Sequence, residues 1–133
     1  CIRDRTLELV PRAKIIAATS VCDDPLQVVS GCAKATKTLM DKEGLCESDV
    51  DVFELHEAFA ATSLKCQRDL DISDTKLNVN GGCIALGHPM GATGGIMMST
   101  LIDELERRKS KTGIVAASGA AGSGSAILIE CLY

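Results

Sequence analysis

Residues 78–95 read Asn-Val-Asn-Gly-Gly-Cys-Ile-Ala-Leu-Gly-His-Pro-Met-Gly-Ala-Thr-Gly-Gly, and no other stretch restricts the fold as tightly. Glycines at this density let the backbone turn sharply and let a second backbone or a ligand come close. His88, one of the chain's 2 histidines, sits between Gly87 and Pro89, directly before a run that can begin a helix. Proline is well tolerated in a first helical turn. A histidine at a helix N-terminus sits in a positive field that disfavours imidazolium, so a neutral ring is expected here.

The 133 residues are enough for one domain with a proper core. With 46% hydrophobic and 24% charged residues the chain reads as globular. Aromatics make up only 2%, so Leu, Ile, Val, Met and Ala must fill the interior. A net charge of −4 with no long basic stripe argues against nucleic-acid and anionic-membrane partners. No apolar run approaches the roughly 20 residues that span a bilayer, and no signal peptide is visible. The 7 cysteines form no CxxC pair and no zinc spacing, which fits reduced thiols in an intracellular, soluble setting and predicts no metal site. The chain begins at Cys1 and runs almost at once into a strand, as a piece of a longer protein would.

Residues 13–19 are a short apolar run, expected as a buried strand. Asp24 and Pro25 supply a cap and first position for a helix carrying Val28, Val29, Cys32, Ala35, Leu39 and Met40, which Gly44 stops. Residues 50–55 predict a second strand, 57–70 a helix, and 77–80 a brief strand entering Gly81-Gly82. Met97, Met98, Leu101, Ile102 and Leu105 form the stripe of a third long helix, with Asp103–Arg107 and Glu104–Arg108 paired on its solvated side. Residues 113–117 and 126–132 predict two further strands, antiparallel across a Gly-rich turn. The alternation implies an α/β layer fold with a mainly parallel sheet covered on both faces.

Three pieces then combine: His-Glu-Ala-Phe-Ala-Ala at 56–61, the segment 78–95, and the Gly-rich ending at 118–130. In this order they resemble the C-terminal half of the thiolases. The His-Glu-Ala-Phe form is most similar to fatty-acid-degrading 3-ketoacyl-CoA thiolases, including trifunctional-complex β-type subunits. The resemblance implies a thiolase-like half-domain over residues 1–133, with a five-stranded mixed sheet and helices on both faces, normally fused to an N-terminal domain absent from this chain. It further implies coenzyme A thioesters as substrates with no tightly bound cofactor, and a homo-oligomer when full length. The expected setting is the cytoplasm, or the mitochondrion or peroxisome in a eukaryote. The intact enzyme would cleave a 3-ketoacyl-CoA with CoA or run the reverse Claisen condensation. The alternative is a thiolase-like protein without thiolytic activity, serving in binding or assembly.

Site roles follow from the same resemblance. His88 would activate a nucleophilic cysteine of the other half and donate to a thioester oxygen, a bond worth about 2.7–4 kcal/mol at a transition state. The plainer alternative is a helix-capping histidine. His56, where thiolases more often carry Asn, would orient a water or contact the acyl oxygen. Glu57 would support that turn, its carboxylate suiting a first helical turn. Ser118 falls where thiolases place their second cysteine, the acid/base; a thiol of pKa near 8.5 trades a proton far more readily than a hydroxyl. Cys83 stands where a small residue is usual and is expected as a buried structural thiol, with a stand-in acid/base as the alternative. Phe59, Gly87 and Gly119 are expected to bind substrate, the glycines by admitting an acyl-pantetheine arm. The Gly-rich ending is no phosphate loop, because it joins two strands and lacks the GK[ST] close. Arg107, Arg108 and Lys109 read as a solvated helix terminus. Phe59, Ala60 and Ala61, with Gly91, Gly94 and Gly95, are expected to form an apolar face for the other half.

Overall fold

Four strands make one sheet in the order β1 (Ala13–Cys22), β4 (Ser123–Cys131), β3 (Thr112–Ser118), β2 (Val52–Leu55), in a computed structural model that describes residues 2–132. β2 and β3 are parallel, with Leu55 opposite Ala116. The short 3-10 turn Ala120–Gly122 folds β4 back antiparallel to β3, as the sequence predicts. β1 joins the far side of β4, also antiparallel. The sheet is therefore mixed, but the expectation of mainly parallel pairing is corrected: among the described residues only the β2–β3 ladder is parallel. A tight connection leaves β4 beside β3, and it then separates β3 from β1.

The expected fifth strand at 77–80 shrinks to a single parallel bridge between Leu77 and Phe53. Asn78 ends it by taking a left-handed backbone, φ 45°. Its side chain then does what a strand would have done: Oδ1 accepts from the Leu55 N–H at 2.8 Å and Nδ2 donates to the Leu55 carbonyl at 2.9 Å.

Strand alternation splits the core in two. Phe53, Leu55, Ile114, Ala116 and Leu128 face α2 (Gly31–Glu43) and α3 (Ala60–Leu70). Val52, Val115 and Ile129 face α5 (Met90–Arg108), which buries Met97, Leu101 and Leu105. Helices thus cover both faces. α5 packs on β2 and β3 and barely reaches β4. The expectation that β1 is buried is accordingly corrected: Ile15 is 64% exposed on this edge strand.

Helix starts also differ from expectation. Asp24 does cap its turn, accepting from the Leu26 N–H at 2.9 Å, but that turn is a 3-10 piece, Pro25–Gln27. Val28 takes φ 56°, which breaks the run, and α2 begins at Gly31. There the backbone meets β4 so closely that a Cβ on Gly31 would lie 2.0 Å from the Ser123 carbonyl oxygen. α3 begins at Ala60 rather than Glu57. A four-residue helix, α4 (Cys83–Leu86), and the terminal α1 (Ile2–Thr6) complete the helices. On α5, Glu104 is not solvated: it is 2% exposed and held by Arg107, Arg108 and Asn80. Asp103 pairs with Arg12 at 2.5 Å instead of with Arg107.

Candidate active site

The C-terminal end of β2 delivers the site. Val52, Glu54 and His56 share the parity that points toward α5, and His56 leaves the strand with its N–H donated to the Ala116 carbonyl at 2.9 Å. Its ring is 5% exposed, and neither ring nitrogen has a hydrogen-bond partner. Burial, then the charge of His88, lowers the His56 pKa; the Ser118 backbone opposes this weakly without a bond of normal geometry. The ring is therefore neutral at physiological pH and keeps one donor and one acceptor for a ligand.

His88 lies against it, ring centroids 4.4 Å apart and tilted by 42°. Its Nδ1 is 2.8 Å from the Thr93 hydroxyl oxygen. Thr93 donates its own proton to the Pro89 carbonyl at 3.3 Å, so Thr93 accepts from His88. This places the imidazole proton on Nδ1 and leaves the Nε2 lone pair free for chemistry. Pro89 caps α5 and Thr93 lies in its first turn, so the helix start itself sets the tautomer.

Cys83 completes the cluster. Its sulfur and one ring nitrogen from each histidine lie within 4.8 Å of one another. The same triplet is the donor set with metal-like spacing among the described residues. Its members come from two stretches, 56–61 and 78–95, and their spacing in sequence matches no metal-binding pattern. Glu57 frames the group from below. Its carboxylate accepts from Asn78 Nδ2 at 3.0 Å and from the Ile84 N–H at 3.1 Å, and not from the first turn of α3. A Cβ on Gly82 would lie 2.4 Å from the Glu57 carboxyl carbon, so glycine there permits the contact.

Ser118 sits at the same end of the sheet but has the parity of Ile114 and Ala116, facing α2. Its Oγ accepts from the Cys32 N–H at 2.9 Å, serving as a tertiary cap for α2, whose own cap residue Ser30 makes no side-chain bond to it. Beside it the buried thiols of Cys32 and Cys66 are hydrogen-bonded at 2.9 Å, which draws the Cys32 pKa down and pushes that of Cys66 up. The three residues expected to bind substrate line three different depressions. Gly87 borders an apolar pocket with Glu54, Cys83, Leu86 and Thr93. Gly119 borders a groove with Ser20, Ser118 and Ser123, and Phe59, 61% exposed, borders one with Val29, Ser30 and Thr62.

The family model described as thiolase, C-terminal domain, matches residues 9–131. The chain belongs to the thiolase family. It is 42% identical to a 3-ketoacyl-CoA thiolase of Klebsiella pneumoniae and 43% identical to one of Cronobacter sakazakii, in each case over 96% of this chain and 34% of the relative. The solved structure of the Bacillus anthracis acetyl-CoA acetyltransferase superposes with a TM-score of 0.91 at 36% identity, covering 98% of this chain and 33% of that one. The chain therefore spans about a third of the length of the relatives it matches. The resemblance named His56 and His88, and the fold brings their two rings into contact. Sequence reasoning missed Thr93 as the partner of His88, although its place four residues after Pro89 in a helix start was a usable signal.

Proposed function

We propose that this chain supplies the histidine half of an acyl-CoA acyltransferase site, for 3-ketoacyl-CoA thiolysis or the reverse Claisen condensation. The observation that carries the reading is the His56–His88 pair, with the His88 tautomer fixed by Thr93 and both His56 ring nitrogens unengaged. In this reading His88 Nε2 takes the proton of a cysteine thiol contributed by an N-terminal half. The thiolate attacks the 3-keto carbonyl, and the resulting imidazolium and the His56 N–H hydrogen-bond the oxygens that gain charge. Burial excludes water from His56, which strengthens such bonds.

The exposed apolar side chains Phe59, Leu64, Ile84, Leu86, Met90 and Ile96 support an N-terminal half as covering partner. Gly91, Gly94 and Gly95 add an open strip on α5, with nothing within 4 Å of a Cβ placed there. Coenzyme A thioesters are the substrates in this reading, and the full-length protein assembles as a homo-oligomer.

The test is CoA-dependent cleavage of acetoacetyl-CoA and longer 3-ketoacyl-CoA thioesters by the full-length protein. Turnover is expected, lost about 10³-fold in His88→Ala, while the 133-residue chain alone turns over nothing. Absent cleavage with retained acyl-CoA binding would favour the second reading, a thiolase-like binding or assembly protein. The engagement of the Ser118 hydroxyl by α2 is the observation on that side.

A further inference from the structure

Breaking or forming the bond between an α-carbon and a β-carbonyl requires a proton to move at that α-carbon. In the acyl-transfer reading both histidines are already engaged, His88 with the nucleophile's proton and His56 with an oxygen. A third group is needed, and a hydroxyl is a poor one, because its pKa lies far above that of a thiol. Ser118 is further removed from the task. Strand parity turns it toward α2, where its oxygen accepts from the Cys32 N–H.

Cys83 has what Ser118 lacks. It is a free thiol, half-buried, with no hydrogen bond among the described residues. It lies with His56 and His88 in the 4.8 Å cluster, packed against the core on the α5 side of the sheet. Its backbone is fixed on both sides, by the Glu57 carboxylate on the Ile84 N–H and by the close fit of Gly82 against Glu57. The second, independent sign of a ligand is His56, which is 5% exposed and leaves both ring nitrogens unsatisfied against this cluster. A buried polar ring without partners costs free energy unless something else binds there. The apolar pocket lined by Cys83, Leu86, Gly87 and Thr93 opens beside the thiol.

We propose that Cys83 is the acid/base that moves the α-proton. In the cleavage direction the C–C bond electrons pass to the α-carbon of the departing thioester as an enolate. The Cys83 S–H bond breaks, its proton forms the new C–H bond, and the thiolate left on Cys83 takes the thiol proton of the incoming CoA. In the condensation direction the Cys83 thiolate removes the α-proton, the enolate carbon bonds to the acyl-enzyme carbonyl carbon, and the acyl C–S bond breaks to release the nucleophile's thiolate. This proposal rests on the acyl-transfer reading, and its test separates the two.

The experiment uses the full-length protein with acetyl-CoA in D2O. It follows acyl-enzyme formation by intact mass and deuterium entry into the methyl group of acetyl-CoA. Cys83→Ala is expected to form the acyl-enzyme normally and to lose deuterium exchange at least about 100-fold. Cys46→Ala, at an exposed thiol bound to Asp49 at 2.8 Å, is expected to keep both. Exchange at the parent rate in Cys83→Ala overturns the proposal and leaves the acyl-transfer reading standing. Loss of acylation together with exchange overturns it too, since Cys83 would then serve the first step or the fold. A parent protein that forms no acyl-enzyme removes the reading and the proposal with it.

Discussion

Glu57 accepts the backbone N–H of Ile84 at 3.1 Å, which ties the turn behind His56 to the short helix that carries Cys83. Its other oxygen holds Asn78, whose amide in turn closes on Leu55 at the end of β2. Three separate segments of the site therefore meet on one carboxylate.

Removing that carboxylate leaves the Asn78 amide and the Ile84 N–H short of a partner. Glu57→Ala is expected to destabilise the chain by about 1–3 kcal/mol in urea titration. In the full-length protein it should lower kcat by more than the folded fraction explains, because the turn behind His56 and the helix that carries Cys83 lose their tie. Glu57→Gln retains an acceptor oxygen and should recover part of both. Parent stability and kcat in Glu57→Ala would show the tie to be idle.

Two glycine substitutions should act in opposite directions. A Cβ on Gly31 meets the Ser123 carbonyl oxygen at 2.0 Å, and both atoms belong to backbone held by helix and sheet. Gly31→Ala is expected to cost about 3 kcal/mol through overpacking. Gly94, within α5, has nothing within 4 Å of its Cβ position. Gly94→Ala should stabilise the isolated chain by up to about 1 kcal/mol, the ordinary helix-propensity gain. Denaturant midpoints of both variants check the pair; a stabilised Gly31→Ala or a destabilised Gly94→Ala would contradict the packing described.

The Ser118 hydroxyl is an acceptor for the first turn of α2, and its loss is a capping loss. Ser118→Ala is expected to cost about 1 kcal/mol of stability, with slower-protected amides at the start of α2 exchanging faster with solvent. Unchanged hydrogen exchange at Cys32 would refute the capping role.

Much of this architecture was legible because its signals are local. Gly-Pro punctuation before α5, the stripe of Met97, Leu101 and Leu105, and the Gly-rich β3–β4 turn each announced themselves. What stayed hidden depends on contacts between distant segments. Val28 breaks an otherwise helical pattern because α2 must start where Gly31 meets β4, and no local rule encodes that meeting. Glu104 looked like one of two surface ion pairs, yet Asn80 and two arginines hold it buried. The two histidines were named from motif resemblance, whereas Cys83 entered only as an alternative acid/base, and its closeness to both rings needed the fold. Cys83 and Ser118 could be told apart only by the face of the sheet each occupies. That face followed from counting Ile114, Ala116 and Ser118 along one strand.

Glu54 offers a test of the site's electrostatics through pH. It is 2% exposed on the α5 side of β2, and its Oε1 has no hydrogen-bond partner. Burial above all, and then the charges of Glu57 and Glu104, push its carboxyl from the ordinary 4.5 up to about 8. Between those two values the unfolded chain has released this proton while the folded chain keeps it. The unfolded state then binds fewer protons, so stability falls as pH rises through the window and the whole penalty is present above pH 8. Glu104 behaves in the opposite sense: Arg107 above all, helped by Arg108 and Asn80, holds it at about 2, so it stays ionised throughout the window and cancels from a parent-to-variant difference. Glu54→Gln keeps the size and removes the titration. The variant is expected to exceed the parent in stability by about 1–3 kcal/mol at alkaline pH, with the advantage shrinking as pH falls toward 4.5. Urea midpoints of both proteins at the two ends of that window decide it. An advantage that is independent of pH, or that grows on acidification, would mean that Glu54 is ionised in the fold and has a partner for its charge.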